Sequence, residues 1–195
     1  TIILFVITLV AGICLGTVHD ITLDPIAQAQ EAAATKTYQE VYPDAASFDE
    51  PQELADAVTA AADSISEWGF GKVTINDAKE ALDASGNQIG YLITSTSAES
   101  YGGNVQIAVG ISNEGELTGI GFLSISDTPG LGMRAKEPDF KDQFIGKKAE
   151  NLEVTKTGAS ADNQIEAISG ATITSKAVTN ATDAAIYFVA NCLAQ

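Results

Sequence analysis

The chain opens on eighteen uncharged residues, "TIILFVITLVAGICLGTV", and its polar pattern begins only at His19 and Asp20. A helix of that length spans roughly 27 Å at about 1.5 Å per residue, close to the ~30 Å hydrocarbon layer of a bilayer. The run is longer than the apolar region of a cleaved signal peptide and no small-x-small cleavage site follows it. It therefore predicts a single transmembrane anchor over residues 1–20. Good helix formers continue through "IAQAQEAAATK", predicting a helical stalk and linker over 21–50. In "PQELADAVTAAADSI" the apolar positions Leu54, Ala57, Val58, Ala61 and Ile65 take helical spacing behind Pro51, which predicts a helix over 51–65.

The period then changes. "KVTINDA", "QIGYLITSTS", "NVQIAVGIS" and "LTGIGFLSIS" are rich in β-branched residues and partly alternating, so each predicts a strand. "NEGE" at 113–116 is a turn, which makes residues 104–126 an antiparallel hairpin. "PDFKDQFIG" predicts a short helix and "NLEVTKT" another strand. The last element is a helix from about Thr174 to Cys192, with Ala177, Ala181, Ala184, Ala185, Phe188 and Val189 on its apolar face. Strands grouped between helices predict an α+β domain over 51–195, a mostly antiparallel sheet flanked by helices, behind the single N-terminal transmembrane helix.

Charge narrows the partners. Lys and Arg total 10, Asp and Glu 26, for a formal net charge of −16. A field of that sign repels nucleic acid, which is excluded as a partner, and anionic lipid headgroups. The first Lys after the apolar run is Lys36, while His19, Asp20 and Asp24 flank it on that side. Positive charge favours the cytoplasmic side, so its absence predicts an extracytoplasmic domain.

The inventory of reactive side chains is short. His19 is the single histidine; Cys14 lies within the apolar run and Cys192 near the C-terminus. A Cys/His zinc site and a Ser-His-Asp triad are excluded from the soluble part, and no nicotinamide fingerprint or iron–sulfur cysteine set occurs. What the chain does have is a cluster of hydroxyls. "EAISGATITSKAV", 166–178, gathers Ser169, Thr172, Thr174 and Ser175 around Gly170 and Ala171, just before the last helix. Taken alone this is a helix-capping turn. A hydrolytic nucleophile would need an adjacent base, and Glu166 and Asp162 are the local candidates.

Two further stretches stand out. In "SDTPGLGMRA", 126–135, Pro129 precedes Gly130 and Gly132 in an ordered loop on which Leu131 and Met133 need a flat apolar surface to cover. That surface is either a planar ring or the domain's own core. Arg134, the one arginine, is placed to pair with Asp127 or to approach the electron-rich edge of such a ring. "SYGGNV", 100–105, is a turn whose Tyr101 either stacks on a ring or covers the core, while Trp68 and Phe70 in "EWGFGK" are read as core.

These three motifs together resemble the FMN-binding domain found in the G subunit of Rnf-type ferredoxin:NAD oxidoreductases and in the C subunit of sodium-pumping NADH:quinone oxidoreductases. "SGATITS" is similar to the flavinylation motif of that family, in which a transferase moves FMN from FAD onto the threonine ending Ser-Gly-Ala-Thr. The resemblance implies covalent FMN on Thr172 as a phosphoester, with Ser169, Gly170 and Ala171 completing the quartet and Thr174 as its near neighbour. Glu166 stands where the transferase pattern has Asp. The Thr-Pro-Gly-Leu-Gly loop implies flavin contacts from Thr128, Gly130, Leu131 and Gly132, with Asp127 in place of the usual Glu; the glycine turn implies one from Tyr101. A phosphoester at a helix N-terminus meets free N–H groups and a favourable dipole, and Lys176, one turn on, is placed to help neutralise it.

The implied function is an electron relay within an ion-translocating, membrane-bound complex. Electrons pass from ferredoxin towards NAD and drive sodium or proton export. Its partners are other membrane and redox subunits, plus the flavin transferase during maturation. No metal is expected. The short chain favours the Rnf protein over its longer counterpart. The C subunit of the sodium-pumping complex, a stand-alone anchored electron carrier, and a non-redox anchored binding domain whose SGAT turn is only a cap are the alternatives.

Overall fold

The computed structural model describes residues 2–148 and 150–193, and the chain divides into two compact units between Lys36 and Thr37. The first unit belongs to helix α1, Ile2–Val41, which is long and apolar enough to cross a membrane. Its threonines return their hydroxyls to the helix backbone. Thr8 donates to the Leu4 carbonyl at 3.1 Å, Thr17 to Ile13 at 3.0 Å and Thr22 to Val18 at 2.8 Å. No polar side-chain group of these residues then needs water, as a lipid-facing surface requires.

The second unit is built on a five-stranded antiparallel sheet in the order β1 (Ser47–Asp49), β2 (Val73–Leu82), β3 (Gln88–Ser100), β4 (Gly103–Ser112) and β5 (Leu117–Ile125). The four long strands are the β-branched runs of the sequence. Ile107 opposes Phe122 and Val109 opposes Ile120 across the β4–β5 hairpin, whose turn reverses at Gly115, φ 76°. Between β2 and β3, Asp83 Oδ1 accepts the N–H groups of Ser85 and Asn87 at 2.7 and 2.9 Å, closing an Asx-type turn.

Helix α4, Thr172–Phe188, covers one face of the sheet, and its buried face packs into the main core with the strands. Ala177, Ala181, Ala184 and Ala185 let it approach closely enough for Ser95 Oγ to donate to the Ala181 carbonyl at 2.9 Å. Helix α2 (Gln52–Ala61) and a 3₁₀ turn at Ile65–Glu67 flank this layer. The helix expected over 51–65 thus ends at Ala61 before the turn at Ile65. Trp68 and Phe70 pack as core, their rings 4.7 and 6.0 Å from that of Tyr187. On the opposite face sit the last turn of α1 and β1. Val41 packs on Leu92 and Ala108, Thr118 Oγ1 donates to the Val41 carbonyl at 2.8 Å, and the Tyr42 hydroxyl donates to Ile89 at 2.7 Å. Residues 37–49 are therefore packed into the second unit. After β5 come α3 (Pro138–Lys141), a 3₁₀ turn at Asp142–Phe144, and a parallel pair, β6 (Glu153–Thr155) and β7 (Gln164–Glu166).

Candidate functional site

Three segments distant in sequence meet around a cleft of about 510 Å³, within the range of small-molecule sites. The turn between β3 and β4 brings Tyr101, the loop after β5 brings Asp127, Thr128, Leu131 and Gly132, and the start of α4 brings Gly170, Ala171, Thr172, Ile173 and Thr174. Gly170, φ 80°, takes a left-handed conformation that turns the chain into the helix, and a Cβ there would stand 3.2 Å from Leu131 Cδ2. Glycine thus lets the two walls close on each other.

The helix begins at Thr172, two residues before its expected start, and no side chain among the described residues caps it. Thr172, Ile173 and Thr174 hold the first-turn N–H groups that have no partner within the helix, so this end of the cleft offers hydrogen-bond donors to an anion. The four hydroxyls of the motif have different fates. Ser175 Oγ donates to the Ala171 carbonyl and accepts the Ile168 N–H, both at 3.0 Å, and is buried. Thr174 is buried and donates to Asp127 Oδ2 at 2.6 Å. Thr172 is half-buried, lines the cleft, and has no side-chain hydrogen bond among the described residues. Ser169 is exposed and lines a neighbouring cleft of about 260 Å³ with Arg134, Glu137, Gln143 and Glu166.

Asp127 is the junction of the site. It is 8 % exposed. Its Oδ2 accepts Thr174 at 2.6 Å and Ser100 at 2.7 Å, and its Oδ1 accepts the Thr128 N–H at 2.8 Å. Burial opposes ionisation, but hydrogen bonds from Thr174, Ser100 and the N–H groups of Thr128 and Gly102 outweigh it and hold the carboxyl below its ordinary value. Any side chain at Gly132 would run into this carboxylate. Arg134 does not pair with it; its Nε reaches Glu137 Oε2 at 3.2 Å instead.

Most of the expected site residues come together. Tyr101, Thr128, Leu131, Gly132, Gly170, Ala171, Thr172 and Thr174 all border the cleft. Tyr101 (74 % exposed) and Leu131 (43 %) leave apolar surface open towards it. Gly130 sits in the adjoining loop at φ 75°, and Lys176 is exposed on α4; neither borders the cleft. Ile173, 55 % exposed, and Asp127 were not among the expected cofactor contacts. The apolar side chains suit a planar ring and the helix end suits a phosphate, so the lining fits FMN. No group of three His, Cys, Asp or Glu suited to a metal occurs among the described residues.

The FMN-binding domain family matches residues 100–187, a span that takes in all three walls of the cleft. The G subunit of the Na(+)-translocating ferredoxin:NAD(+) oxidoreductase complex of Acetobacterium woodii is 36% identical over 97% of this chain and 89% of its own length. The G subunit of the proton-translocating ferredoxin:NAD(+) oxidoreductase complex of Clostridium ljungdahlii is 34% identical over 59% of this chain and 67% of its own. Among solved structures, the C subunit of Na(+)-translocating NADH-quinone reductase from Parabacteroides distasonis covers 74% of this chain and 95% of its own, at 19% identity and a TM-score of 0.46.

Proposed function

The chain belongs to the FMN-binding domain family, among the G subunits of ion-translocating ferredoxin:NAD(+) oxidoreductase complexes, and on that premise we propose that it relays electrons through FMN esterified to Thr172. The observation that carries the covalent link is the state of the hydroxyls. Thr174 and Ser175 are buried and engaged, whereas Thr172 lies on the cleft with its oxygen uncommitted among the described residues.

In the maturation step, Thr172 Oγ1 takes the FMN phosphoryl group from FAD. The new O–P bond replaces the phosphoanhydride, AMP leaves, and the hydroxyl proton is lost. The first-turn N–H groups of α4 would hold the phosphate of the bound group and would stabilise it by about 0.3–1 kcal/mol. Among the described residues no Lys or Arg borders the cleft. In a chain of net charge −16, the covalent bond supplies the retention that a cationic clamp would otherwise give. Thr128, Leu131, Gly132 and Tyr101 contact the flavin, and Ser169, Gly170 and Ala171 present the acceptor. Gly130 shapes the loop, and Lys176 adds positive charge beyond the cleft. FMN itself supplies the one- and two-electron chemistry, and the protein supplies position and electrostatics.

Residues 2–20 of helix α1 anchor the chain in the membrane, residues 21–36 lead from them, and the flavin domain lies on the extracytoplasmic side. A flavin that dissociated there would be lost, which favours a covalent link. Co-production with a flavin transferase, followed by flavin fluorescence on a denaturing gel, tests the assignment. The wild-type band fluoresces and the Thr172→Ala band is dark. A fluorescent Thr172→Ala band would move the attachment elsewhere.

A further inference from the structure

The cleft contains a charge that attachment of FMN does not require. Asp127 is buried, and every group it accepts a hydrogen bond from is neutral: the hydroxyls of Thr174 and Ser100 and the N–H groups of Thr128 and Gly102. Among the described residues no cation pairs with it, since Arg134 is engaged with Glu137. A buried carboxylate is costly unless compensated, and uncharged donors stabilise it without cancelling its field. Four donors converge on its two oxygens, a set that the single acceptor oxygen of an amide or a hydroxyl cannot serve, so the tie requires a carboxylate and brings its charge into the cleft. Gly132 is shaped to this carboxylate, because a Cβ at that position would overlap it.

We propose that Asp127 is a positioning residue of the flavin cleft, tying the turn at Gly102, the Pro129 loop and the start of α4 together while holding a negative charge that keeps the flavin's reduction potential low. This rests on FMN occupying the cleft. The tie is geometric. Ser100 and Gly102 belong to the turn that presents Tyr101, Thr128 N–H fixes the Pro129 loop, and Thr174 fixes the first turn of α4, where Thr172 stands. The electrostatic part follows from Coulomb's law. Reduction adds negative charge to the flavin, and a buried carboxylate lining the same cleft opposes it.

The test is a redox titration of the full-length, detergent-solubilised protein after mass spectrometry has established its FMN content. Asp127→Asn keeps the size and one of the two acceptor oxygens but removes the charge, and its midpoint potential shifts to a more positive value. Asp127→Glu keeps the charge and stays near the wild-type potential. Where Asp127→Asn does not fold, Asp127→Ser is read in the same way. An unshifted potential in the FMN-bearing neutral variant overturns the electrostatic role. FMN retained by Asp127→Glu but lost from both neutral variants supports the tie, since only Glu keeps two acceptor oxygens. Loss from all three leaves Asp127 with a packing role only and overturns the proposal. A wild-type protein lacking FMN would instead overturn the attachment at Thr172, so the two failures are distinguishable.

Discussion

Thr174 Oγ1 donates to Asp127 Oδ2 at 2.6 Å across 47 residues of sequence, and both groups are buried. This contact fastens the first turn of α4 to the Pro129 loop and removes from reaction the hydroxyl that most resembles Thr172.

Replacing Thr174 by Val keeps the shape and deletes the donor. Hydrogen bonds to charged groups contribute roughly 1.5–3 kcal/mol, so Thr174→Val lowers unfolding stability by about 2 kcal/mol. Chemical denaturation measures that loss. The same variant still carries its covalent flavin, because the acceptor oxygen belongs to Thr172.

Gly132 faces the same carboxylate without room for a side chain. Gly132→Ala forces the loop or Asp127 to move, at a cost of about 1–3 kcal/mol by analogy with overpacked cores. Gly130→Ala is also unfavourable, but for its φ of 75° and with open space around it. Thermal denaturation of the two variants, with flavin content measured in parallel, separates the effects. Gly132→Ala perturbs both the fold and the cleft, whereas Gly130→Ala acts mainly on loop stability.

Asp183, on the buried face of α4, is 5 % exposed, and its Oδ1 accepts the Leu152 N–H at 2.9 Å. Burial pushes its carboxyl up to about 7, outweighing that hydrogen bond. A raised acid pKa means the folded state binds the proton more tightly than the unfolded chain. This residue's contribution therefore falls as pH rises from about 4 to about 7 and is constant above that range. The fall amounts to roughly 4 kcal/mol at most. Asp183→Asn retains an oxygen for Leu152 and removes the titration. Denaturation midpoints at pH 5 and pH 8 should converge in the variant relative to wild type. Asp127 acts in the opposite sense and in a lower window, since its depressed pKa places its loss of stability below the ordinary carboxylate range.

The end of α1 belongs to the folded second unit, so the point of truncation matters. A chain starting at Thr37 retains Val41, Tyr42 and β1 and folds as a soluble domain. A chain starting at Pro51 loses them, and Val41 alone contributes about 1.5–3 kcal/mol. Circular dichroism melts of the two truncated chains should differ by many degrees; equal melts would contradict the packing of Val41 and Tyr42 on the sheet.

Local pattern carried much of this architecture. The strands β2 to β5 follow β-branched runs, and Gly115 supplies the positive φ that "NEGE" implies. Of the small strands, β6 was visible in "NLEVTKT", whereas β1 and β7 were hidden. β1 is "SFD", polar on both sides of Phe48, and becomes a strand only by pairing with β2. The start of α4 was displaced because Ala171 offers no capping side chain, so hydroxyl residues nearby drew the expected boundary inward. The cleft's residues were visible as motifs, Asp127 among them as the stand-in for the loop's usual Glu, but its contacts were not. Asp127 gains its role from Ser100 and Thr174, and no local spacing encodes contacts over 27 and 47 residues. Arg134 had two candidate partners within reach by sequence and took a third, Glu137, three residues along the chain.

The most direct measurement is fragment-ion mass spectrometry of the peptide containing residues 166–176 from protein purified out of its native membrane. The account predicts FMN less one water on Thr172, with Thr174 and Ser175 unmodified. An unmodified peptide, or FMN on Thr174, would contradict it.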